Sequence, residues 1–139
     1  MPMLLEKQNL LKKLNDTYCR IMPSKISGVG VFAVRDIPKG INPFKGPPRA
    51  KWIKFNLSEL AKLDPEVQRM IRDFYSVENN GDVFVQSIAL NGMDISFFVN
   101  DSKKPNLMTR DDGLSFITKR KIAMGEELTV DYSTYDGKG

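Results

Sequence analysis

Turn-forming clusters interrupt this chain so often that no long regular element can run through most of it. Ser27-Gly28, Asp36-Ile37-Pro38-Lys39-Gly40, Lys45-Gly46-Pro47-Pro48, Asn79-Asn80-Gly81-Asp82, Asn91-Gly92, Asp111-Asp112-Gly113 and Ala123-Met124-Gly125 leave pieces of strand length between them. Those pieces are rich in β-branched and aromatic residues. The spacing predicts a mainly β protein of short strands.

Two stretches escape this punctuation. From Met3 to Asn15, apolar Met3, Leu4, Leu10, Leu11 and Leu14 recur at helical intervals among Lys, Glu and Gln, so residues 1–16 are expected to form an amphipathic helix. It is expected to cover one edge of the domain; its other role would be a seam for a second subunit, in a homodimer. The second stretch runs from about Ser58 to Phe74, within a helical insertion expected over about 47–78. Asp64-Pro65 divides it into a short helical turn, starting near Ser58-Glu59, and a helix capped by Asp64 with Pro65 in its first position.

Strands are expected over Tyr18 to Ile26 and Val29 to Val34, joined by a glycine turn, with a further strand ending near Phe44. Tyr75-Ser76-Val77 and Val83-Phe84-Val85 read as a hairpin around Asn79 to Asp82. Leu114 to Lys119 and Leu128-Thr129-Val130 complete the set.

Composition removes several kinds of chemistry. The 139 residues contain no histidine and one cysteine, Cys19, so no internal disulfide, no Ser-His-Asp or Cys-His nucleophile and no ordinary zinc ligand set can be built. No metal is expected. No apolar run reaches the roughly 20 residues that cross a bilayer, and Glu6, Lys7, Lys12 and Lys13 break any signal-peptide core. No membrane partner is expected, and the chain is placed in the cytoplasm or another intracellular compartment, nucleus or host cell included. A net charge of +4 with scattered lysines does not point to nucleic acid.

Three segments carry chemistry by their order. Gly28-Val29-Gly30-Val31-Phe32-Ala33 is a glycine pair leading into a strand; Asn100-Asp101-Ser102-Lys103-Lys104-Pro105-Asn106 and Gly125-Glu126-Glu127-Leu128-Thr129-Val130-Asp131-Tyr132 follow. Together they resemble the motifs of the SET domain, the fold of S-adenosylmethionine-dependent protein-lysine methyltransferases, in a minimal single-domain form over residues 17–139 without zinc-binding flanking segments. The resemblance implies small β-sheets with a C-terminal pseudoknot that joins the Asn100 and Tyr132 segments. It implies Tyr132 as the catalytic tyrosine and cofactor contacts from Gly28, Val29, Gly30, Asn100, the backbone of Asp101, Tyr132 and Tyr135. Phe44, Thr109 and Tyr132 would line the substrate channel, and the partner would be a protein presenting a lysine in a flexible segment, drawn in by acidic residues such as Glu78, Asp94, Asp111 or Asp112.

Three positions depart from the family pattern. Asp101 stands where histidine is usual, Lys103 where cysteine is usual, and Phe44 where a tyrosine hydroxyl is usual. Methyl transfer from a sulfonium needs a neutral amine and a dry path more than a strong base, which suits a chain without histidine. The alternatives are a binding module of the same fold that has lost turnover and, from charge alone, a basic nucleic-acid-interacting protein.

Overall fold

The computed structural model describes residues 2–44, 51–110 and 115–135. Among the described residues, eight strands and two α-helices follow in the order α1 (Pro2–Asn15), β1 (Cys19–Pro23), β2 (Val29–Ala33), β3 (Trp52–Asn56), α2 (Pro65–Phe74), β4 (Asp82–Gln86), β5 (Asn100–Asp101), β6 (Leu107–Arg110), β7 (Ser115–Thr118) and β8 (Glu127–Val130). Short 3-10 turns fill several connections. The fold is mainly β and built of small sheets, as the sequence leads one to expect.

A four-stranded sheet ordered β1-β2-β8-β5 forms the centre. β1 and β2 make an antiparallel hairpin, with Cys19 opposite Ala33 and Pro23 opposite Val29. β8 enters beside β2, with Val31 opposite Leu128, and takes β5 on its other side in parallel, with Asn100 opposite Thr129. One strand near the end of the chain therefore joins two segments about a hundred residues and thirty residues before it.

Alternation along these strands builds the core. Val31, Leu128 and Val130 are fully buried with Leu107, Ile37 and Ile122, Val99 is nearly so, and each such aliphatic side chain contributes about 1.5–3 kcal/mol by leaving water. A smaller cluster of Leu60, Ile71, Tyr75 and Val83 serves the insertion. Phe74 meets Phe98 edge-on, with ring centroids 5.7 Å apart, which ties α2 to the segment leading into β5.

Asp64 and Pro65 behave as their chemistry dictates. The Asp64 carboxylate accepts the Glu66 N–H at 2.8 Å, and Pro65 opens α2. The preceding 3-10 turn, Leu57–Leu60, starts from Asn56 rather than Ser58, with Glu59 reaching back to the Asn56 N–H. Replacing Asp64 with alanine is expected to cost about 1 kcal/mol of stability, with Asp64→Asn close to wild type. Urea unfolding of both variants checks this; equal stabilities would show that the cap contributes nothing.

Several expectations need correction. No strand ends near Phe44: Ile37 makes only an isolated bridge to Ile122, and residues 41–44 bend because Asn42 accepts the Phe44 N–H with its side chain and Pro43 has no N–H for a ladder. Tyr75-Ser76-Val77 is not a strand either. Tyr75 ends α2, and Val77 touches Val83 by a single bridge, while the true partner of β4 is β3. The insertion is thus a β3–β4 ribbon with α2 between its strands, not helix alone.

Helix α1 does not cover an edge of the domain. Met3, Leu4, Leu5, Leu10, Leu11 and Leu14 all remain exposed. Its last carbonyl, Asn15 O, is held by Arg35 Nη1 at 2.9 Å, and the Arg35 guanidinium lies over the Tyr18 ring. Residues 45–50, 111–114 and 136–139 lie outside the described residues, and with them Lys45 to Pro48, Asp111, Asp112 and the start of the strand expected from Leu114. No helix among the described residues is long and apolar enough to cross a membrane.

Candidate active site

Tyr132 follows β8 directly, and two contacts fix it. Its backbone N–H donates to Asp101 Oδ1 at 2.7 Å, and its hydroxyl donates to the Val99 carbonyl at 2.7 Å. Both partners flank Asn100, so the tyrosine ring is tied to the segment expected to hold the cofactor. Partial burial pushes the phenol above its ordinary range, and the charge of Asp101 adds to this. The hydroxyl stays protonated at neutral pH.

Asp101 occupies the position where the family pattern has histidine. Its carboxylate does not leave the Tyr132 segment unsupported, because the Tyr132 N–H takes over as its partner. The link runs through backbone instead of side chain. Lys103 likewise finds a partner: its ammonium lies 3.4 Å from Asp131 Oδ1, largely in solvent, where such a pair is worth little. Asp131 is held below the usual carboxylate range chiefly by hydrogen bonds from Ser133, with Lys103 assisting.

The turn between β1 and β2 lies against Asn100, whose amide nitrogen donates to the Ser27 and Val29 carbonyls. Gly28 there has φ +45°, a left-handed value that favours glycine. Gly30 is buried, and a Cβ built on it would collide with the Glu127 carboxylate and stand 3.1 Å from Asn100 Nδ2. The Asn100 amide nitrogen in turn lies 2.9 Å from Glu127 Oε2, 3.1 Å from Ser24 Oγ, 3.1 Å from the Val29 carbonyl and 3.2 Å from the Ser27 carbonyl. Gly28, Val29, Gly30 and Asn100 are therefore brought into one patch, and β8 connects it to Tyr132.

Asn106 holds the same strand from another side. Its side chain accepts the Thr129 N–H at 2.8 Å and donates to the Glu127 carbonyl at 2.9 Å. It is 3% exposed, so these bonds satisfy backbone groups that water does not reach.

The expected channel residues are placed less completely. Phe44 packs edge-on against Phe116, with centroids 5.8 Å apart, and Thr109 Oγ1 donates to Thr134 Oγ1 at 3.2 Å, two residues beyond Tyr132. Tyr135 ends the 3-10 turn Tyr132–Tyr135, and its side chain lies outside the described residues. Asp94 is engaged locally, accepting the Ser96 N–H at 2.9 Å. Cys19 is buried, and desolvation pushes its thiol up to about 12, so it is no nucleophile at neutral pH.

Sequence reasoning passed over two members of this patch, Ser24 and Glu127. Glu127 belongs to the Gly-Glu-Glu-Leu motif, but the motif alone assigns it no contact. Ser24 had no signal beyond its nearness to Gly28.

No curated protein matches the chain in sequence. Among solved structures, a candidate histone methyltransferase of Plasmodium falciparum is similar, with a TM-score of 0.54 and 16% identity, over 84% of this chain and 93% of that one. A humanized mutant of the Chaetomium thermophilum Polycomb Repressive Complex 2, bound to the inhibitor GSK126, gives a TM-score of 0.55 and 19% identity, over 84% of this chain and 15% of that one. These likenesses show a shared fold. The model of the SET domain matches residues 28–133, which spans Gly28, Asn100 and Tyr132, and the chain belongs to the SET domain family.

Proposed function

We propose that this chain is a protein-lysine N-methyltransferase that uses S-adenosylmethionine. The single observation that carries this reading is the Tyr132 hydroxyl at 2.7 Å from the Val99 carbonyl, one residue before Asn100. It couples the proposed catalytic group to the proposed cofactor grip. When bound, S-adenosylmethionine supplies an electrophilic methyl group on a sulfonium.

The residues fit that group in two respects. The Asn100 amide spends its N–H bonds inward, and no hydrogen bond among the described residues engages its Oδ1, which can accept from an ammonium. The Glu127 carboxylate beside it favours positive charge nearby.

Tyr132, by donating to Val99, keeps its hydroxyl oxygen in one orientation beside the reacting centre. It acts by orientation and electrostatics; its raised pKa makes it no base at neutral pH. A target lysine entering a channel that Phe44 and Tyr132 would line leaves water, which lowers its pKa and favours the neutral amine. Its proton leaves to water. Gly28 and Val29 would give backbone access to the cofactor, the backbone of Asp101 would serve the adenine, and Thr109 would stand beside the segment that follows Tyr132.

Asp101 and Lys103 are the departures that would favour a binding module without turnover. Each has a partner in this fold, and the Tyr132 backbone is held. That supports the catalytic reading over the module.

Incubation with methyl-labelled S-adenosylmethionine and a mixture of basic proteins, followed by peptide mass spectrometry, tests the proposal. Labelled lysine is the expected result. Cofactor binding with no lysine modified in any protein would leave only the module.

A further inference from the structure

Glu127 and Ser24 surround the Asn100 amide from the inside. Ser24 Oγ lies 2.9 Å from both Glu127 carboxylate oxygens, so its proton goes to Glu127 and its own oxygen is left as an acceptor. It also accepts the Ile26 N–H at 2.9 Å. The Asn100 nitrogen then faces acceptors only: Glu127 Oε2, Ser24 Oγ and the carbonyls of Ser27 and Val29. Turning the amide over would set Oδ1 against a carboxylate and two carbonyls, with no proton between them.

Glu127 reaches this position only because residue 30 has no side chain. Its carboxyl carbon would stand 2.9 Å from a Cβ at Gly30, inside any real contact distance. Gly30 and Glu127 lie on neighbouring antiparallel strands, where Phe32 is opposite Glu127, so Gly30 and Glu127 share a face two residues out of step. The glycine makes room for a carboxylate of the protein itself.

We infer that Glu127, seated over Gly30 and assisted by Ser24, is a positioning residue that locks the Asn100 amide with its nitrogen inward and its Oδ1 outward as the acceptor for the cofactor's ammonium group. The outward half of this inference rests on the methyltransferase reading above; the packing half does not. Gly30 on this view is needed for Glu127 more than for the approach of a ligand.

The full chain, its variants Gly30→Ala, Glu127→Ala, Glu127→Gln, and the double variant Gly30→Ala with Glu127→Ala test both halves. In urea unfolding, Gly30→Ala should destabilise the wild-type background clearly and the Glu127→Ala background little. An equal loss in both backgrounds overturns the packing half. Side-chain amide signals of Asn100 in the ligand-free protein should be protected from exchange in wild type and lose that protection in Glu127→Ala; unchanged protection overturns the lock.

Titration with S-adenosylhomocysteine, which carries the same ammonium, should show about tenfold weaker binding for Glu127→Ala and near-wild-type binding for Glu127→Gln, which keeps an acceptor oxygen. Unchanged affinity in Glu127→Ala overturns the positioning role. Wild-type protein that binds neither S-adenosylhomocysteine nor S-adenosylmethionine overturns the methyltransferase reading and the outward role of Oδ1 together, while the unfolding and amide measurements still decide the packing half.

Discussion

Replacing Tyr132 with phenylalanine is expected to lower the rate of lysine methylation by about a hundredfold, the scale seen when one preorganised polar group is removed from a reacting centre. The ring stays, so its packing and the Asp101 bond to the backbone N–H stay too. The hydroxyl bond to the Val99 carbonyl is lost, about 1 kcal/mol of stability. Affinity for S-adenosylhomocysteine should change by less than about twofold, since Asn100 and the Gly28 turn are untouched. Single-turnover assays with calorimetry on the same samples separate these effects. Full activity in the phenylalanine variant would remove Tyr132 from the chemistry.

The protonation state of Tyr132 gives the same experiment a pH axis. Burial first and the Asp101 charge second raise its pKa above 10, the ordinary value. For a phenol, a raised pKa means the neutral form persists to higher pH. Between pH 6 and 10 any change in rate should therefore track the lysine amine losing its proton, and the profile should rise without a descending limb.

Asn106→Ala should be the costliest polar substitution for the fold, at about 3 kcal/mol, or roughly 10 °C in melting temperature for a domain of this size. Alanine would strand the Thr129 N–H and the Glu127 carbonyl where water does not reach them. Asn106→Asp keeps an acceptor for Thr129 but has no N–H for Glu127, so its loss should also be large. Thermal and urea unfolding measure both; a melting point within two degrees of wild type for the alanine variant would mean that other groups satisfy β8. Asn106 thus serves the fold, and any fall in activity should follow the fraction folded.

Local chemistry was the part most legible in the sequence. Asp64-Pro65 set the start of α2 because cap and ring act within three residues, and the β1–β2 hairpin followed from glycines between apolar runs. The motifs named Gly28, Asn100 and Tyr132, which the fold sets just before β2, at the start of β5 and just after β8, three neighbouring strands of one sheet. β3 and β6 were not legible. Trp52–Asn56 buries neither face fully, and Leu107–Arg110 starts two residues after a proline and alternates over only four positions. Each is defined by its partner, β4 or β7, and not by its own pattern.

The same limit hid Ser24 and Glu127. Their side chains meet across 103 positions of sequence, so only the strand register could have paired them; a glutamate diagonal to a glycine on the adjacent strand is the signal that would have served. For α1, periodicity found the apolar stripe but could not say what receives it, and the domain does not.

The placement of β8 also bears on how the protein is made. β2 and β5 are both finished long before residues 127–130 exist, yet each has its central partner only there. At about 5–20 residues per second of synthesis, β2 waits roughly 5–20 s for the strand that completes its sheet. Val31, which ends fully buried, lacks its cover for that whole time, and Val99, almost fully buried in the end, for the roughly 1–6 s between its own synthesis and that of β8. Nascent chains should therefore present these strands to whatever meets them at the ribosome, and a cofactor could be gripped only after Val130 and Tyr132 have emerged from the tunnel.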